Sequence, residues 1–158
     1  MPNIRDTEHK TQSRVVNFFL AKLHYTYLGN LHDSENRNIM QEQLHAWLLK
    51  QGYSEKLASN AVDALVKTST NLQQGLYHAN KEVYSLLKYG AKVKESVEQS
   101  PKTVYFIDFE DVSKNDFYIA EEVTVVSNNT KRPDIVLYVN GIALAVIELK
   151  KSSVSVSN

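Results

Sequence analysis

Pro133-Asp134 and, fourteen residues on, Glu148-Leu149-Lys150 are the residues of this 158-residue sequence whose types and spacing could do chemistry. Two carboxylates can hold a hard cation beside a phosphate. Mg²⁺ wants oxygen ligands, keeps several waters and takes only one or two carboxylates from a protein. A neighbouring ammonium can orient or deprotonate an attacking water and offset the charge that builds on phosphorus. Together they make a workable phosphodiester hydrolysis site. The tripeptide E-x-K is weak by itself, since Glu8-His9-Lys10 fits it too, in a polar N-terminal stretch. What sets Glu148 and Lys150 apart is context: an apolar strand sequence, Val146-Ile147, turns abruptly ionic after a Pro-Asp strand opening. The plain alternative is a solvated strand end carrying a surface ion pair.

Alternation puts Glu148 and Lys150 on one face of their strand, with Ile142, Leu144 and Val146. Whether Asp134 shares that face depends on the turn at Asn140-Gly141, a hairpin signal. A strict two-residue loop pairs Val139 with Ile142, hence Asp134 with Ile147, and sets Asp134 against Glu148 through the sheet. A three-residue loop or a bulge in either strand reverses that parity. The chemistry therefore demands an irregular turn or strand.

The elements that must position these residues follow from periodicity. Val16, Phe19, Leu20, Leu23 and Tyr27 predict a helix that Gly29 ends. Met40, Leu44, Trp47 and Leu48 mark a second, stopping near Gly52. Ser54 is a candidate N-cap for a third, with Leu57, Ala61 and Leu65 on one face. A fourth runs through Leu72, Leu76, Ala79, Val83 and Leu87 to Gly90. Residues 91–102 read as a surface loop. From Thr103 the signal is β: Thr103–Phe109, Phe117–Val126, Ile135–Val139 and Ile142–Leu149. The reading is one α+β domain, about 1–100 mainly helical and about 101–151 a sheet with the site. The polar end, Ser152–Asn158, follows straight after a core strand, as expected of a piece of a longer chain.

Composition excludes other classes. With no cysteine there is no disulfide, cysteine-ligated zinc, iron–sulfur cluster or thiol nucleophile. No run approaches the ~20 apolar residues that span a bilayer, so no membrane is expected. His9, His24, His32, His45 and His78 have no zinc spacing. Lys+Arg and Asp+Glu are both 18, for a net charge of zero. Residues 1–100 carry 12 basic and 10 acidic side chains, and the rest 6 and 8. A free-standing nucleic-acid binder carries a basic excess; if this chain works on DNA, something else helps to hold it. Asp108, Glu110 and Asp111 read as a solvated loop. Glu121 and Glu122 sit in a strand pattern, where one could support the site. Phe18/Phe19 and Tyr25/Tyr27 are core residues before they are base-stacking platforms.

Arg132 through Gly141, followed by Val146-Ile147-Glu148-Leu149-Lys150, resembles the PD-(D/E)xK nuclease core. More narrowly it resembles the N-terminal nuclease domain of the restriction (motor) subunit of type I restriction–modification enzymes. Tyr27-Leu28-Gly29-Asn30, Trp47-Leu48-Leu49-Lys50-Gln51-Gly52-Tyr53, Asn80-Lys81-Glu82-Val83-Tyr84 and the stretches from Asn115-Asp116-Phe117 to Glu122-Val123-Thr124 occur in the same order there. The likeness runs from about Leu20 to Lys151. It implies a restriction-endonuclease-like mixed sheet under an N-terminal helical layer. It also implies Asp134, Glu148 and the Leu149 carbonyl as Mg²⁺ ligands, and Lys150 as the catalytic lysine. A helical glutamate often joins such sites; Glu82 is the candidate, although a solvated helix residue is its plainer reading. The family's Gln-x-x-x-Tyr element lies beyond this sequence, and no G-x-x-x-x-G-K-[ST] loop is present, so ATP would enter through a motor elsewhere. The implied function is cleavage of double-stranded DNA in the prokaryotic cytoplasm, in an ATP-dependent translocating complex with modification and specificity subunits. Two rivals remain at this level: a non-catalytic docking or DNA-positioning module, and another PD-(D/E)xK repair nuclease.

Overall fold

Helix α1, Ile4–Leu23, carries an apolar stripe of Val16, Phe19 and Leu20, and it stops where His24 turns left-handed at φ +57°. The structure, a computed structural model, describes residues 4–33, 38–124 and 131–149, the side chains of 4–8 excepted. After α1 the chain does not remain helical to Tyr27. Thr26–Asn30 forms strand β1, parallel to β4, Phe117–Glu121, with Thr26 opposite Tyr118 and Asn30 opposite Glu121. The aromatic and β-branched residues fit a pleated surface, and pairing to β4 outweighs the helical spacing. Gly29, at φ +97°, sits at a register irregularity in β1 rather than at a helix end.

Strand β4 pairs antiparallel with β5, Ile135–Val139, from Phe117 opposite Val139 to Glu121 opposite Ile135. Strand β6, Ile142–Ile147, completes a mixed sheet of order β1-β4-β5-β6. The stripe of α1 packs on one face of it. Val16, Ile119 and Ile135 are buried together, and Phe19, Leu20, Tyr25, Leu137 and Ile147 pack around them. The Phe19 and Tyr25 rings meet edge to face, 5.0 Å between centroids. This unit is discontinuous in sequence, drawn from 1–38, 117–139 and the residues from 143 on.

Residues 39–116, with 140–142, make a second unit. Helices α2 (Gln41–Lys50), α3 (Glu55–Thr70) and α4 (Leu76–Tyr89) pack with a two-stranded sheet of β2 (Ala91–Val93) and β3 (Lys102–Val104). Ser54 caps α3 as expected, its hydroxyl accepting from the Leu57 N–H at 3.3 Å. Leu44, Trp47, Leu48, Leu57, Ala61 and Leu65 fill the core.

Three local expectations are corrected here. Leu72 precedes α4 in a turn closed by the Gly75 N–H on its carbonyl. The stretch 91–102 begins and ends in strand, because Ala91 is buried and pairs with Val104. The strand expected over Thr103–Phe109 stops at Val104. There Tyr53 Oη takes the Tyr105 N–H at 3.1 Å, while Phe106 and Ile107 stay buried without a ladder.

Asn140 and Gly141 form a two-residue turn with φ +52° and +88°, the left-handed pair that a tight hairpin requires. Asn140 is fully buried. Its amide donates to the Phe106 carbonyl (2.9 Å) and to Asn115 Oδ1 (2.8 Å), and its Oδ1 accepts from the Asp116 N–H (2.7 Å). A Cβ on Gly141 would stand 2.7 Å from the Met40 carbonyl oxygen, so no other residue fits.

Candidate functional site

Pro133 is buried and lacks an N–H, so the β4–β5 ladder ends beside it. The last rung is the Glu122 N–H on the Asp134 carbonyl at 3.0 Å. That rung fixes the half-buried Asp134 at the head of β5.

The turn is the regular two-residue kind, and the irregularity lies in β6. Near the turn, the Ala143 N–H points to the outer edge and donates to the Asn38 carbonyl at 2.9 Å. Unbroken alternation would send the Leu149 N–H outward too. It donates instead to Asp134 Oδ2, on the β5 side, at 2.6 Å. Ile147, which strict pairing would set opposite Asp134, packs with Ile119 and Ile135 on the α1 face. Both observations require a parity change along β6 between Ala143 and Leu149. The Asp134 carboxylate thus lies against the peptide that joins Glu148 to Leu149. Glu148 is exposed just past β6 and Leu149 is half-buried. Lys150 lies outside the described residues.

On the α1 face, Glu121 is held from several sides. Gln12 Nε2 donates to its Oε1 at 2.8 Å, and the Tyr27 hydroxyl makes a short hydrogen bond to its Oε2. The Glu121 carbonyl accepts from the Leu31 N–H at 2.8 Å. Gln12 Nε2 also reaches the Asp134 carbonyl at 3.4 Å. A polar cavity of about 430 Å³ opens here, lined by His9, Gln12, Asn30, His32, Glu121, Glu122 and Arg132. Helical periodicity assigns Tyr27 to the core and gives Gln12 no role; the structure places both on Glu121. Gln12 stands four residues before Val16 on the buried stripe of α1, and a polar residue in that position was the available signal.

Partial desolvation, the hydrogen bond to Glu121 and that carboxylate's charge push the Tyr27 phenol up to about 12 from 10.0. A raised phenol stabilises the fold while protonated. Its contribution is complete below pH 10 and disappears as the pH rises through about 12. Ultraviolet phenolate titration of wild type against Tyr27→Phe is expected to show the missing step near pH 12; a missing step near 10 would contradict the pairing.

The remaining candidates have plainer occupations. Asp108 Oδ1 accepts from the N–H groups of Glu110 (3.0 Å) and Asp111 (2.8 Å), and Asp111 caps the Ser113 N–H, so this acidic cluster is turn chemistry. Glu82 is exposed on α4. Among the described residues no three His, Cys, Asp or Glu side chains gather as a metal site, and no helix is long and apolar enough to cross a membrane.

The chain belongs to the family of type I restriction enzyme R protein N termini, whose model matches residues 5–158. It is 34% identical over 91 residues, 53% of its length, to a protein of Methanocaldococcus jannaschii named as the MjaIXP type I restriction enzyme endonuclease subunit. It is 33% identical over 117 residues, 71% of its length, to the type I restriction enzyme HindI endonuclease subunit of Haemophilus influenzae. The matches cover 9% and 11% of those two proteins, so the chain spans about a tenth of their length. No solved structure matches it.

Proposed function

We propose that the chain is the Mg²⁺-dependent nuclease module of a type I restriction enzyme R subunit, with a restriction-endonuclease-like fold. It hydrolyses phosphodiester bonds of double-stranded DNA. It works in the prokaryotic cytoplasm with modification and specificity subunits, and ATP acts through a motor outside these residues. The observation that carries this reading is the 2.6 Å bond from the Leu149 N–H to Asp134 Oδ2, which ties the two halves of the acidic motif together.

The donor set fits the cation. Asp134, Glu148 and the Leu149 carbonyl offer only hard oxygen atoms, and two carboxylates are as many as Mg²⁺ usually takes. Each carboxylate oxygen has two lone pairs, so the Leu149 bond leaves Asp134 with acceptor capacity. When bound, the cation supplies Lewis-acid charge beside the phosphate. The chain's own residues do the rest. The Leu149 N–H orients the Asp134 carboxylate, Glu148 adds negative charge that draws the cation, and the Lys150 ammonium offsets charge on the phosphate. The zero net charge assigns most DNA affinity to the rest of the complex.

The test is Asp134→Asn and Glu148→Gln in the complete subunit, assayed for plasmid cleavage in the reconstituted complex. Cleavage is expected to fall by about 10²-fold or more with each. Wild-type cleavage by both variants would leave the motif a solvated strand end and favour the docking-module reading.

A further inference from the structure

Gln12 is buried, only 6% exposed, on a helix that otherwise presents apolar residues to the sheet. Its partners lie more than a hundred residues away in sequence, and both are acceptors: the Glu121 carboxylate at 2.8 Å and the Asp134 carbonyl at 3.4 Å. Only a group with two N–H donors can stand between them, and the glutamine amide is such a group. The Tyr27 hydroxyl holds the other Glu121 oxygen. The Asp134 carbonyl thereby receives two donors, the Glu122 N–H and the Gln12 amide. Packing alone would be served as well by an apolar side chain, without the desolvation that a partly buried carboxylate costs.

We propose that Gln12 and Tyr27 are positioning residues of the nuclease site: acting through Glu121 and the Asp134 carbonyl, they fix the Pro133-Asp134 bend that aims the Asp134 carboxylate. The proposal rests on the nuclease reading above. It asks of Glu121 only that it anchor Gln12 and Tyr27, each through one of its two oxygens. It also accounts for a polar donor on the buried stripe of α1. Gln12→Glu has nearly the same shape but sets an acceptor against two acceptors, whereas Gln12→Met keeps the bulk and removes the donors.

The experiment is Mn²⁺ binding by the complete subunit without DNA, followed by electron paramagnetic resonance, with thermal stability recorded for every variant. Removing a group that orients a metal ligand typically weakens metal binding about 10–100-fold. Gln12→Glu and Gln12→Met are expected to weaken Mn²⁺ binding at least tenfold, and Tyr27→Phe severalfold. If Gln12→Glu does not fold, Gln12→Met and Tyr27→Phe carry the test. Unchanged Mn²⁺ affinity in those folded variants, with binding lost in Asp134→Asn, overturns the positioning role alone. Unchanged affinity in Asp134→Asn as well removes the nuclease reading and this proposal with it.

Discussion

Lys150→Ala in the complete subunit is expected to lower DNA cleavage about 10²–10³-fold while ATP hydrolysis and translocation continue. Lys150 follows Glu148 by two residues in sequence, and the proposed reaction gives its ammonium the task of offsetting charge on the phosphate. Its ammonium matters most in the transition state, where negative charge on the phosphoryl oxygens is greatest. Folding should hardly change, because a lysine side chain adds little to an apolar core. The proposed motor lies outside these residues, since the sequence has no phosphate-cradling loop, and the substitution does not touch it. Glu148→Ala should lose cleavage similarly but also weaken metal binding, which separates a ligand from a charge that acts on the substrate. Plasmid cleavage run beside an ATPase assay makes the measurement. Wild-type cleavage by Lys150→Ala would deny the lysine any part in the reaction.

Asn140→Ala is expected to destabilise the second unit by about 3–5 kcal/mol. The substitution leaves the Phe106 carbonyl and the part-buried Asp116 N–H without the fully buried Asn140 amide, and it takes one partner from Asn115. Each buried group left unpaired costs about 1–3 kcal/mol. Alanine also tolerates the left-handed turn less well than asparagine. Asn140→Asp should be no better: it restores the acceptor for the Asp116 N–H but sets a carboxylate oxygen against the Phe106 carbonyl. A urea titration reads the loss, and a change below about 1 kcal/mol would mean that water replaces the amide.

The sequence showed most clearly what depends on local pattern. The periodicity of α2 and α3, the Ser54 cap and the Asn140-Gly141 turn are decided by neighbouring residues, and each is found where expected. Strand β1 was illegible because Val16, Phe19, Leu20 and Leu23 keep helical spacing up to Tyr27; only pairing with β4, ninety residues later, makes Thr26–Asn30 extended. The parity of β6 was legible as a requirement of the chemistry but not as a location. Nothing in Ala143 to Leu149 marks where alternation breaks, since all but Glu148 are apolar. Gln12 is marked as a polar residue on an apolar stripe, but its partner, like that of Tyr27, is defined only once Glu121 arrives between them.

The interruption of the sheet-bearing unit by residues 39–116 has a consequence for the chain as it is made. Helix α1 leaves the ribosome long before β4, β5 and β6, the strands that cover Val16, Phe19 and Leu20. At about 5–20 residues per second, the wait from residue 38 to residue 149 is roughly ten seconds. The intervening residues are contiguous apart from Asn140–Ile142 and can pack their helices as they emerge, whereas the first helix keeps an unsatisfied apolar stripe throughout. That nascent stripe is where a chaperone would bind, and slower translation between residues 39 and 116 would lengthen its exposure.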